Sequence, residues 1–219
     1  MTVDEAIQRI AEIGIVPVVR AASVDLALGA VEAVCAGGIP IVEITMTVPN
    51  ATRAIREIIH TYGNKVMAGA GTVLTASQAA ECLDAGAEFL VSPGLSAPVL
   101  QIARARGKLA IPGVLTPTEL MAAATEGVRV VKVFPCGNLG GPQYIRALKA
   151  PFPEIAMIPT GGANLTNAAE YFAAGAFALG VGADLVNVAA LREGKTEEII
   201  EMAKKLVDTV SRARRANQV

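Results

Sequence analysis

Apolar residues in this chain fall into two alternating textures. Short, nearly unbroken apolar runs recur at 15–19, 41–45, 66–69, 89–91, 109–111, 130–133, 156–159 and 178–181. Between them lie longer stretches in which apolar and polar positions alternate with helical spacing. Runs of three to five apolar residues suit strands buried on both faces, as in a parallel sheet. The junctions repeat as well: Ala36-Gly37-Gly38, Ala85-Gly86-Ala87, Glu126-Gly127 and Ala174-Gly175-Ala176 each precede an apolar run. Glycine ends a helix readily because it adopts the left-handed conformation without penalty. Ser23, and Thr116 followed by Pro117 and Glu119, mark two helix starts.

Eight strands alternating with helices predict a (β/α)8 TIM barrel, an α/β fold in which residues 3–13 form an extra N-terminal helix capping the bottom. No linker or low-complexity segment interrupts residues 1–219, so one domain is expected. A doubly wound open sheet is the weaker alternative, since no GxGxxG follows the first strand.

Two charges stand inside these apolar runs. Lys132 lies in Val130-Val131-Lys132-Val133-Phe134, and Glu43 in Ile41-Val42-Glu43-Ile44-Thr45. A charge in a buried strand costs several kcal/mol, on the order of what a buried ion pair must recover, unless it is paired or used. Burial disfavours an ammonium and makes the free amine available as a nucleophile. Lys132 shares parity with Val130 and Phe134, and Glu43 with Ile41 and Thr45. If those sets face the interior, amine and carboxylate meet near the ends of their strands, where such barrels place active sites. The plainer reading is a structural ion pair. Chemistry explains it better, because buried pairs seldom stabilise more than apolar residues do.

Composition narrows the classes. Apolar residues make up 53% of the chain and net charge is −1, with no basic patch before Arg212-Ala213-Arg214-Arg215, so nucleic acid is not an expected partner. The longest apolar stretch is broken by glycines and too short to span a bilayer. The three cysteines, Cys35, Cys82 and Cys136, make no CxxC, which suits a reducing, cytoplasmic setting. The single histidine, His60, has no second histidine or acidic cluster beside it, so no metal is expected. Cys136 lacks an activating histidine and reads as a spectator; Cys35 and Cys82 read as core. Asn138 and Gln143 have no assignable role.

Glycines close the last two strands, in Pro159-Thr160-Gly161-Gly162-Ala163 and Gly180-Val181-Gly182-Ala183-Asp184. Barrels that hold phosphate use these two loops, where glycine lets backbone amides approach an anion. Asp184 repels an anion and is expected instead to cap the following short helix and point away.

Taken in order, Val42-Glu43-Ile44-Thr45, Gly69-Ala70-Gly71-Thr72-Val73, Ser92-Pro93-Gly94, Ile111-Pro112-Gly113, Val131-Lys132-Val133-Phe134-Pro135 and Pro159-Thr160-Gly161-Gly162 resemble the 2-keto-3-deoxy-6-phosphogluconate (KDPG) aldolase and 4-hydroxy-2-oxoglutarate aldolase family. The resemblance runs from Ile15 to the final helix. It implies a class I aldolase that needs no metal or other cofactor and assembles as a homotrimer. The reaction implied cleaves 2-keto-3-deoxy-6-phosphogluconate to pyruvate and glyceraldehyde 3-phosphate. Under it Lys132 matches the Schiff-base lysine and Glu43 the proton-transferring carboxylate. Thr72 and Thr160 match threonines near the substrate carboxylate, Pro93 and Phe134 walls of the pyruvate pocket, and Gly161, Gly162 and Gly182 the phosphate loop.

The chain departs from the family pattern twice. Thr47 stands where many members carry arginine, and Arg20, at the end of the first strand, is placed to supply that cation; its plainer role is a rim salt bridge. Ala183 stands where serine is usual, removing a hydroxyl worth about 1 kcal/mol of phosphate binding. The galactonate epimer and 4-hydroxy-2-oxoglutarate stay open as substrates. A sugar-phosphate epimerase or isomerase would need a second acid/base group that the strand ends lack. A metal-dependent aldolase would need carboxylate and histidine ligands. A non-catalytic trimeric barrel would leave both buried charges unexplained.

Overall fold

The computed structural model describes residues 1–216. It is a mixed α/β fold built on a curled, all-parallel sheet. The strands are β1 (Ile15–Val19), β2 (Ile41–Thr45), β3 (Met67–Gly71), β4 (Phe89–Val91), β5 (Leu109–Ile111), β6 (Gly113–Val114), β7 (Val130–Val133), β8 (Ala156–Pro159) and β9 (Leu179–Val181). The helices that position the site are α1 (Val3–Ile13), α2 (Val24–Ala36), α3 (Ala51–Tyr62), α4 (Ala76–Asp84), α5 (Ala97–Ala105), α6 (Pro117–Thr125), α7 (Pro142–Lys149), α8 (Ala168–Ala173), α9 (Val188–Arg192) and α10 (Thr196–Ala216).

Six strands pair in the order β5-β4-β3-β2-β1-β9 and three in the order β6-β7-β8. Pro112 separates β5 from β6, and its carbonyl accepts from Lys132 N–H at 2.9 Å, so the ladder turns directly from one sheet to the other. At the opposite edge a parallel bridge joins Thr160 to Gly180. The sheet therefore bends round until β8 lies beside β9.

The predicted local signals hold. Ser23 and Thr116 accept the capping bonds of α2 and α6, the latter as a capping box with Glu119. Gly38, Gly86, Gly127 and Gly175 are all left-handed. β3 runs to Gly71 rather than ending at 69, because its pairing with Thr45 outweighs the weak strand propensity of glycine.

Two apolar layers form. Ala6 and Ile10 of α1 plug the strand-start end of an inner cluster containing Val16, Ile41, Phe89 and Val130. The opposite strand faces pack against the helices. Alternation therefore sends Glu43 and Lys132, two positions beyond Ile41 and Val130, toward the interior at the strand-finish end. Among the described residues no helix is long and apolar enough to cross a membrane.

Candidate active site

β2 and β7 carry the two interior charges. Lys132 Nζ lies 3.9 Å from Glu43 Oε1, with side-chain exposures of 5% and 3%. At that separation the ions attract but share no hydrogen bond, and among the described residues Oε1 has no hydrogen-bond partner. Together with Val91, Ile111, Ile158, Thr160 and Gly180 they line a cavity of about 10 Å³, room for one water. Burial pushes the Glu43 carboxyl above the usual carboxylate range; Lys132 and then Arg20 pull it back. Lys132 Nζ also stands 5.1 Å from the Phe134 ring centroid, a cation–π contact.

Glycine makes room for these groups. A Cβ on Gly71 would overlap the Glu43 carboxyl, and one on Gly180 would overlap Thr160 Oγ1. Gly113 likewise lets the Pro93 carbonyl pass.

Beside this pair, a second cavity of about 120 Å³ opens at the same end of the sheet. Arg20, Phe134, Thr160, Gly161, Gly162 and Gly182 line it, so six of the ten expected site residues converge there. Thr160 also borders the Lys132–Glu43 cavity and joins the two. Gly161 and Gly162 are left-handed, with φ of 81° and 93°. A Cβ on Gly161 would meet the Phe134 ring in ordinary contact at 3.4 Å, so the positive φ rather than lack of space favours glycine there.

Thr72 and Pro93 follow β3 and β4 at the same end but line neither cavity. Thr72 holds φ at 59°, a conformation that strains a β-branched residue by roughly 1–3 kcal/mol. Ser92 Oγ donates to Gly94 O at 2.7 Å and pins the turn that presents Pro93.

Asp184 corrects one expectation. It caps no helix: α9 starts at Val188, where Asn187 accepts from the backbone of Ala189 and Ala190. Asp184 sits in a turn closed by Leu185 and Val186 N–H groups on Gly182 O, and it lines the cavity with Arg20. The loop needs that turn before a helix can begin, so the carboxylate stays at the cavity.

Sequence reasoning passed over two buried hydroxyls. Thr45 Oγ1 donates to Val19 O at 3.0 Å, which leaves Thr47 Oγ1 to donate into it at 2.6 Å. Ser92 is the other. Thr45 shares parity with Glu43, which was the available signal.

His60 is exposed near the end of α3. Cys82 and Cys136 are buried and Cys35 is half-buried; all three are free thiols.

The family model for KDPG and KHG aldolase matches residues 6–202. The chain is 34% identical to the KHG/KDPG aldolase of Escherichia coli over 89% of its length and 91% of that protein's. It is 36% identical to the 2-dehydro-3-deoxy-6-phosphogalactonate aldolase of the same organism, over 78% of its length and 83% of that protein's. Among solved structures, the KDPG aldolase of Legionella pneumophila, with pyruvate captured as a covalent carbinolamine, superposes with a TM-score of 0.85. That likeness has 31% identity and covers 91% of this chain and 97% of that one.

Proposed function

This chain belongs to the KDPG and KHG aldolase family and is a class I aldolase, and we propose that it cleaves 2-keto-3-deoxy-6-phosphogluconate to pyruvate and glyceraldehyde 3-phosphate. The observation that carries the reading is the buried amine–carboxylate pair, 3.9 Å apart, in a cavity that shares its Thr160 wall with a glycine-lined cavity bordered by one arginine.

In this mechanism the unprotonated amine of Lys132 attacks the C2 carbonyl of the 2-keto acid. Glu43 moves protons as the carbinolamine loses water, and the iminium that forms is an electron sink. Glu43, directly or through one water, takes the proton from the C4 hydroxyl, the C3–C4 bond breaks, and the aldehyde leaves. The enamine is then protonated and hydrolysed to pyruvate, returning the amine. Thr72 and Thr160 hold the substrate carboxylate, Pro93 and Phe134 wall the pyruvate portion, and Arg20 with the Gly161, Gly162 and Gly182 amides takes the distal anion.

Asp184 and Ala183 on the rim of that cavity favour one second reading. A carboxylate, and a methyl where a hydroxyl donor would help, disfavour a dianion, so 4-hydroxy-2-oxoglutarate, with a single distal charge, is the alternative substrate. A galactonate-derived substrate fits the same pocket chemistry.

The ring of pairings is read as one closed (β/α)8 domain, with β5 and β6 as a single strand broken at Pro112. A homotrimer in the cytoplasm completes the reading, in keeping with three free cysteines.

Borohydride trapping with pyruvate, followed by intact mass and peptide mapping, tests the mechanism. A pyruvate-sized adduct on Lys132 is expected. A folded protein that forms none, or forms it on another lysine, overturns the assignment. Comparing kcat/KM for the phosphorylated substrate and for 4-hydroxy-2-oxoglutarate decides between the two substrates.

A further inference from the structure

Arg20 and Glu43 are closer in the fold than their sequence separation suggests. β1 and β2 pair with Val18 opposite Glu43, so Arg20 stands two residues beyond that partner, on the same face. Its guanidinium borders the 120 Å³ cavity, whose wall Thr160 is shared with the Glu43 cavity. Among the described residues, Lys132 on β7 and Arg20, the residue just after β1, are the cations near the carboxyl. Asp184, beyond β9, shares Arg20's cavity, while β3, β4, β5, β8 and β9 present only uncharged groups. Among the described residues, Glu43 Oε1 has no hydrogen-bond partner to fix its charge state.

We propose that Arg20 couples the anion-binding loop to the proton on Glu43: when a substrate's distal anion pairs with Arg20, the carboxylate loses that cation's stabilisation and takes its proton more readily. The inference rests on the functional reading above and adds a role for Arg20 beyond holding the anion. A free Arg20 keeps Glu43 ionised and ready to accept a proton. An Arg20 neutralised by bound anion makes Glu43 a stronger base at the moment the substrate is seated. Coulombic support for Glu43 from Arg20, secondary to that from Lys132, agrees with the geometry. Because Arg20 is exposed, solvent weakens the coupling and salt weakens it further.

The test is deuterium exchange into the methyl group of pyruvate, which needs Lys132 and a base but no aldehyde. Exchange is followed from pH 4 to 9 in the full-length protein, with and without saturating inorganic phosphate. In the unsubstituted protein the limb where exchange rises with pH is expected to move upward when phosphate is added. In Arg20→Gln the limb starts at the higher position and phosphate no longer moves it. Arg20→Lys, which keeps the charge, restores the original limb and its response. A limb in Arg20→Gln that stays where it began, or that phosphate shifts equally, overturns the proposal. Absence of any exchange in the unsubstituted protein would instead overturn the aldolase mechanism itself, so the two failures are distinguishable.

Discussion

Gly71 lies beneath the carboxyl of Glu43 so closely that a Cβ there would overlap Oε1. Glu43 pairs in register with Gly69, and Thr45 with Gly71, so the carboxyl leans forward across β3 over Gly71, which has no side chain to block it. Gly71→Ala is expected to leave the fold intact, because its neighbours keep their pairing, while displacing the carboxyl. A shift of about 1 Å at a reacting group costs on the order of 100-fold in turnover. The check is kcat beside a circular dichroism spectrum: a native spectrum with unchanged kcat would show that the carboxyl tolerates the move.

Removing the amine tests the pair from the other side. In Lys132→Met, Glu43 loses the larger of the two influences that pull its carboxyl down, so its folded value rises further above 4.5. A raised carboxyl stabilises the fold below its unfolded value and loses that contribution as pH climbs through the folded value. The variant's stability relative to the parent should therefore be highest in acid and decline as pH rises, by up to about 1.4 kcal/mol per unit across that window. Thermal melts at pH 4.5, 6 and 8 read this directly, and a constant difference would rule it out. The same variant should form no borohydride-trapped adduct.

The strands are legible in the sequence because each is an apolar run buried on both faces, and four left-handed glycines end the helices before them. Lys132 and Glu43 are legible because a charge inside such a run is costly, so its presence points to pairing or to chemistry. The short strand β6 is not, since the apolar run ends at Ile111 and nothing beyond Pro112 says that the ladder resumes there with a new partner. The chain of hydroxyls from Thr47 through Thr45 to Val19 O is hidden as well, because its geometry arises between β1 and β2 rather than within either. Asp184 misleads for a related reason: a carboxylate two residues after a glycine looks like a helix cap until the turn closing on Gly182 O is seen.

The cysteines offer an independent check on burial. Desolvation pushes Cys82 to about 12 and Cys136 to about 11, while half-buried Cys35 also reaches about 11. Thiolates are therefore scarce at neutral pH, and only Cys35 is open to reagent. Ellman's reagent should label one thiol slowly in native protein and three in denaturant. Rapid labelling of Cys136 would mean that the segment after β7, which bonds to Thr160 O and Gly161 O, opens readily.

Asp184 is expected to limit how much negative charge the distal cavity accepts. It shares that cavity with Arg20, and Ala183 beside it offers no hydroxyl donor. Asp184→Asn removes one like charge without changing shape, so binding of a phosphorylated substrate should tighten. At an exposed, solvent-screened site the gain is modest, roughly two- to fivefold in KM. It should be larger above about pH 6 than below, because the phosphate carries its second charge there. A substrate ending in a carboxylate should gain less, since it presents one charge at every pH in that range. Measuring KM for both substrates at pH 5.5 and 8 separates the effects. Equal gains for both would mean that Asp184 acts on the loop's shape, and no gain for either would place its carboxylate out of reach of the anion.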